Sequence, residues 1–200
     1  MPKLWKDTVE EHRRDVRTAI LETAWALARE RGVRGITMGL VAEQAGISRA
    51  TLYKYFHGID EMLVAGHAEH VAQHLSHLEA LHNEASSAGA GLHAMLRGYA
   101  QICFHRGASA TAELHGLVHR GDEHARNSAD VTTLFAKAVR DAQDRGQVRT
   151  DLAAEELASY SLHALEAAGQ ARSASAIDHL VKLVAESLHL QGKTAGSGSD

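Results

Sequence analysis

The chain has 200 residues, 44% of them hydrophobic, and 21 Lys/Arg against 25 Asp/Glu give a formal net charge of −4. One medium domain, or a small domain joined to a larger one, fits that length with ample chain to bury a core. A single cysteine, Cys103, excludes a disulfide framework, and no apolar run approaches the ~18 residues that span a bilayer. The start, MPKLWKDTVEEHRRD, is too charged for a signal peptide, so the expectation is a soluble, cytoplasmic protein.

Proline occurs once, at Pro2, while alanine and leucine abound, and the expected fold class is all-α with about nine helices. A first helix is expected over roughly Val16 to Arg31, with Ile20, Ala24 and Leu27 on one face and Gly32 as its stop. Thr37 then caps a short helix whose apolar face is Leu40, Val41, Ala42 and Ala45. Gly46 supplies the left-handed backbone that ends it, and Ile47 tucks back. Ser48 caps the next helix, in which Leu52 and Phe56 point inward one turn apart. Its outer face carries Arg49, Ala50, Thr51, Lys54 and Tyr55, with Tyr53 at the side. Those hydrogen-bonding, cationic and small side chains suit a DNA major groove, and helix, glycine turn, helix is the helix-turn-helix pattern.

A long fourth helix follows from near Asp60 to about Asn83, carrying Leu63, Val71, Leu75, Leu78 and Leu81. Ser86 to Gly91 reads as a flexible break. Further helices are expected over Leu92–His105, Ala110–His119, Ala129–Arg145, Ala153–Arg172 and Ala174–Leu190. Between them, GQVRTDL (Gly146 to Leu152) is a stop, an extended turn and a new start at Asp151. The expected division is a DNA-binding domain over 1–59 with an N-terminal arm, a larger helical domain over 60–190, and a disordered tail over 191–200.

The window from Ile20 to Leu63 resembles the TetR family of transcriptional regulators. The resemblance rests on Thr37, Val41-Ala42, Ala45-Gly46-Ile47-Ser48, Thr51-Leu52-Tyr53 and Tyr55-Phe56. It implies a DNA-binding regulator, by family default a repressor released from its operator by a small molecule. Within the reading head, Arg49 is placed for guanine O6/N7, and Ala50 or the Thr51 methyl for a thymine methyl. Tyr53, Lys54 and Tyr55 are expected on phosphates, helped by Thr37 and Ser48. Tyr53 has the alternative of a partly buried packing residue. Arg13, Arg14 and Arg17 either reach the DNA backbone or a minor groove, or form a solvated arm. Two departures from the family pattern stand out. Ile59 takes the place of a phosphate-binding lysine, and Gly39 leaves a bare spot where many relatives carry a polar side chain. Both point to weaker or differently distributed DNA contacts. Charge agrees modestly: residues 1–59 hold ten Lys/Arg against seven Asp/Glu, and the remainder is acidic.

The resemblance also implies an effector site in the larger domain, with candidate lining residues Met95, Tyr99, Cys103, Leu117, Phe135, Val139 and His163, each of which alone reads as core. Aromatic content of 4% favours an aliphatic site over one that stacks planar drugs. A homodimer is expected, since one recognition helix reads too few base pairs to find an operator. Its assigned interface is Leu157, Tyr160 and Ala164 with the stripe Ile177, Leu180, Val181, Val184 and Leu188.

Fifteen histidines are a second peculiarity. His67, His70, His74 and His77 share one side of the fourth helix, and His115 and His119 have the i, i+4 spacing of a metal pair. No completing ligand set is visible, so no cofactor and no metal is expected; metal or pH sensing remains an alternative, as does a helical domain that only dimerises or docks a partner. An enzyme would need Cys103 and His105 as nucleophile and base, and their helix positions do not give that geometry.

Overall fold

The computed structural model describes residues 3–109 and 122–189. Among these, eight α-helices and two short 3₁₀ turns account for the fold, with no strand. In chain order they are α1 (Lys3–Arg31), α2 (Met38–Gln44), α3 (Arg49–Leu52), α4 (Ile59–Asn83), α5 (Ala88–Ser109), α6 (Asp122–Gln143), α7 (Ala154–Glu166) and α8 (Ala174–Ser187). None of the described helices is long and apolar enough to cross a membrane. The described chain forms two compact units, one built on residues 3–71 with 122–124, the other on 72–109 and 125–189. The division falls after Val71, later than the expected boundary at 59/60, because the first turns of α4 bury Met62 and Leu63 in the first core.

In the first unit α1 begins at Lys3, well before the expected Val16. The stretch before Val16 lacks glycine and an apolar stripe, so nothing periodic announced its helix. The expected N-terminal arm is therefore helical. Arg17 is no arm residue: its guanidinium lies 5.4 Å from the centre of the Phe56 ring and pairs with Glu69 on α4. The core beneath is Ile20, Leu21, Ala24, Leu27 and Ala28 from α1, closed by Ile36, Val41, Ala42, Leu52, Phe56, Met62 and Leu63. Ile59 packs on this core too, which is why that position carries an aliphatic side chain. Glu61, three residues into the helix, accepts from the His57 N–H at 2.6 Å and so caps the start of α4.

Trp25 pins α1 to α4. Its indole N–H donates to the Leu63 carbonyl at 3.1 Å, and the ring fits into the space left by Gly66. His67 stacks on it and His70 meets it edge-on, with centroids at 6.1 and 5.2 Å.

The second unit has its own core of Leu78, Leu92, Met95, Leu96, Cys103, Phe135, Val139, Leu157, Leu162 and Leu165, covered by α8 through Ile177, Val181, Val184 and Leu188. Ser86 to Gly91 is not a flexible break. Ser87 caps α5 by accepting from the Ala90 N–H at 3.2 Å, and the helix starts at Ala88. The turn after α6 carries Gly146 at φ 66°, as the sequence suggests, but α7 starts at Ala154 rather than Asp151. Asp151 instead takes a two-pronged grip from Arg149, at 2.7 and 2.5 Å, which holds its carboxyl at about 2. The expected helix Ala110–His119 lies outside the described residues.

A methyl group at position 66 would fall on the Trp25 ring. Gly66→Ala should therefore lower stability by ~1–3 kcal/mol through overpacking, although the same change in an open helix stabilises. Thermal unfolding followed by circular dichroism checks the sign.

Candidate nucleic-acid interface

The connection between α2 and α3 is built from caps and one glycine. Thr37 accepts from the Leu40 N–H at 3.2 Å and starts α2. At its end Gly46, with φ 69°, donates to Glu43 at 3.2 Å, and the Ile47 N–H donates to Ala42 at 2.9 Å. This is the paired-bond helix stop that a left-handed residue permits. Ser48 then caps α3, accepting from the Thr51 N–H at 3.0 Å, with its hydroxyl 2.9 Å from that of Thr51. So Thr37 and Ser48 spend their oxygens on caps, and Thr51 is partly covered.

α3 is only four residues long, and a turn carries the chain from Tyr53 to Phe56. That shortness rearranges the aromatic residues. Tyr53 is 50% exposed. Tyr55, expected on the outer face, is instead half-buried against the first core, because the helical phase is lost after Leu52. Arg49, Ala50 and Lys54 are exposed together with Tyr53, and they form the outward face. Nothing in the sequence pointed to a contact between Arg49 and α2, yet its guanidinium lies over Gly39.

The family model described as bacterial regulatory proteins, tetR family, matches residues 20–65. A TetR/AcrR-family transcriptional regulator from Thermobifida fusca has a similar structure, with TM-score 0.70 and 18% identity over 86% of this chain and 97% of that one. Residues 20–65 thus match the TetR-family DNA-binding segment, and the described fold is shared with solved TetR/AcrR-family regulators. Similar folds include FadR from Bacillus subtilis, solved with stearoyl-CoA (TM-score 0.65, 13% identity, 86% and 98% covered). Another is a TetR-family regulator from Rhodococcus sp. (0.64, 23%, 88% and 99%). Comparison with curated proteins finds no match. The matched segment contains α2 and α3, the helix-turn-helix of a DNA-binding regulator.

The other expected sites fare unevenly. Met95, Cys103, Phe135 and Val139 are buried together in the second core, and Tyr99 meets Phe135 edge-on at 5.6 Å. Burial pushes the Tyr99 hydroxyl and the Cys103 thiol up. A raised thiol is the reverse of what a nucleophile needs, and His105 is exposed. His163 does not line this core. It sits on the outside of α7 with Nδ1 2.7 Å from its own Ser159 carbonyl, since the inward positions there are Leu162 and Leu165. Leu117, His115 and His119 lie outside the described residues.

The assigned dimer stripe is also corrected. Leu157, Ile177, Val181, Val184 and Leu188 are buried in the chain's own core, while Ala164 and Leu180 are only partly covered. The apolar side chains exposed on α7 and α8 are Tyr160 at 52% and Leu183 at 63%, of which Leu183 was not foreseen.

On α4 the histidines divide. His67 and His70 are half-buried against Trp25, whereas His74 and His77 are exposed. Among the described residues no group of three or more His, Cys, Asp or Glu could hold a metal ion. Desolvation, then the nearby Arg29 charge, lowers the His70 pKa, with Glu22 and a bond to Gly66 opposing them. A histidine with a lowered folded-state pKa takes up its proton more readily when unfolded. Its contribution is intact above the ordinary value of ~6.5 and is lost as pH falls towards the lower folded value. The melting temperature should therefore drop from pH 7.5 to pH 5.5, and His70→Gln should drop less over the same interval. Parallel curves for the two proteins would exclude His70 as a source of acid sensitivity.

Proposed function

We propose that this chain is a homodimeric repressor of the TetR family that occupies a DNA operator and leaves it when a small-molecule effector enters the second unit. The carrying observation is the outward face of α2 and α3, where Arg49, Ala50, Tyr53 and Lys54 stand exposed on a frame set by Leu52 and Phe56. In this reading Arg49 and Ala50 meet base edges, while Lys54 and Tyr53 hold phosphates. Tyr55 stays a packing residue. The first unit, up to Val71, serves as the reading head and the second as the sensing and dimerising domain, working in the cytoplasm without catalysis.

The effector is inferred to be apolar and chain-like. Met95, Cys103, Phe135 and Val139 give the second core an aliphatic character around one aromatic pair. The similarity to a FadR solved with stearoyl-CoA agrees with that class. Adding long-chain acyl-CoA to the protein–DNA complex in an anisotropy assay should release DNA, and short-chain acyl-CoA should not.

DNA recognition is tested on duplexes selected by the protein from a random pool. Arg49→Ala should cost roughly 1–3 kcal/mol on the selected duplex and little on scrambled DNA. Lys54→Ala should weaken both alike and flatten the slope of log K against log salt by ~0.9 per subunit. Equal losses on both duplexes for Arg49→Ala would make it a phosphate contact.

For the dimer, the exposed Tyr160 and Leu183 carry the proposed interface. Leu183→Glu should yield a folded monomer in sedimentation that binds the operator at least tenfold more weakly. Val181→Glu buries a charge in the core and should instead unfold the protein. A Leu183→Glu variant that remains dimeric places the interface elsewhere.

A further inference from the structure

Gly39 is the second residue of α2 and faces the recognition helix. The space above it is taken by a side chain from α3. A Cβ at position 39 would stand 2.8 Å from Cζ and 2.9 Å from Nε of Arg49, closer than carbon atoms approach one another in proteins. The Arg49 guanidinium therefore occupies the space that a side chain at position 39 would fill. Among the described residues no carboxylate or carbonyl accepts a hydrogen bond from it, and Arg49 is exposed, so the donors of its fork are unspent.

We propose that Gly39 is a specificity-determining position of the DNA interface, acting as a seat that holds the Arg49 guanidinium for two-pronged pairing with one guanine. The proposal rests on the reading that the α2–α3 face meets the major groove. A guanine edge presents O6 and N7 in one plane, so the fork must arrive in that plane. A phosphate accepts from many directions and sets no such demand. An arginine on an open helix loses several rotatable bonds when it docks, whereas one already lying on a backbone shelf has lost part of that freedom beforehand. Gly39 thus contributes by what it lacks. One arginine then covers surface on both helices of the motif.

The test uses the full-length protein, a duplex selected by the wild type from a random pool, and a scrambled duplex of equal length. Gly39→Ala should lower the preference for the selected duplex about tenfold, concentrated at one base pair, a shift of the size that a single two-pronged contact carries. Binding to scrambled DNA should be unchanged. The melting temperature should be unchanged or raised, since alanine favours the helix and the displaced group is the mobile end of a side chain. In an Arg49→Ala background, Gly39→Ala should be silent, and likewise in an Arg49→Lys background, where a compact ammonium does not need the space above Gly39. Additive losses in those backgrounds, or an equal loss on scrambled DNA, would overturn the proposal and assign Gly39 to close backbone approach. If Arg49→Ala lowers the preference and Gly39→Ala does not, only the seat falls. If the wild type selects no duplex, the DNA-reading face itself falls, and the seat with it.

Discussion

A helix of four residues cannot hold itself together in water, because forming its first turn costs more than its few hydrogen bonds return. α3 exists because Leu52 and Phe56 are buried under α1, at either end of one turn, and because Ser48 closes its open end. Every outward property of the motif follows from that anchorage. With Leu52 fixed inward, Arg49 and Ala50 must face out, and the chain has turned back by Tyr55. The recognition surface is small because the helix is short, so each exposed side chain carries a large share of any contact with DNA.

The same dependence runs through α4. Its first turns complete the core on which α3 rests, and Trp25 fastens them by a hydrogen bond and by two imidazole contacts. Further along, Leu78 belongs to the second core. One continuous helix thus contributes side chains to both units, while Arg17 and Glu69 add a polar strut within the first. A half-buried ion pair of this kind contributes little alone; the stacking of Arg17 on Phe56 gives the pair its place.

The sequence was most legible where local chemistry decides the backbone. Thr37, Gly46 and Ser48 act through bonds to residues three or four positions away, and all three do what their types suggest. It was least legible where one signal serves two outcomes. Ile177, Val181, Val184 and Leu188 recur at the spacing of a helix stripe, and a stripe reads the same whether it meets its own chain or a second copy. Only burial separates the two, and it leaves Leu183 outside. Residues 8–15 of α1 gave no periodic signal, since an exposed helical stretch has no stripe to read. Tyr55 failed for another reason: its phase was extended past Leu52 as though the helix continued. Gly39 looked like a missing contact in the sequence, and the structure fills that gap with Arg49.

Cys103 is the chain's one cysteine, buried to 1% exposure, with its thiol pushed up. A thiol in that state reacts with neither oxidants nor alkylating probes until the helices around it part. The rate at which it becomes available is then the rate of opening of the second core, undiluted by any other thiol. A ligand that fills or tightens that core slows the reaction; one that loosens it speeds the reaction. The lone sulfur, inert as chemistry, serves as a clock for the breathing of the helices that enclose it.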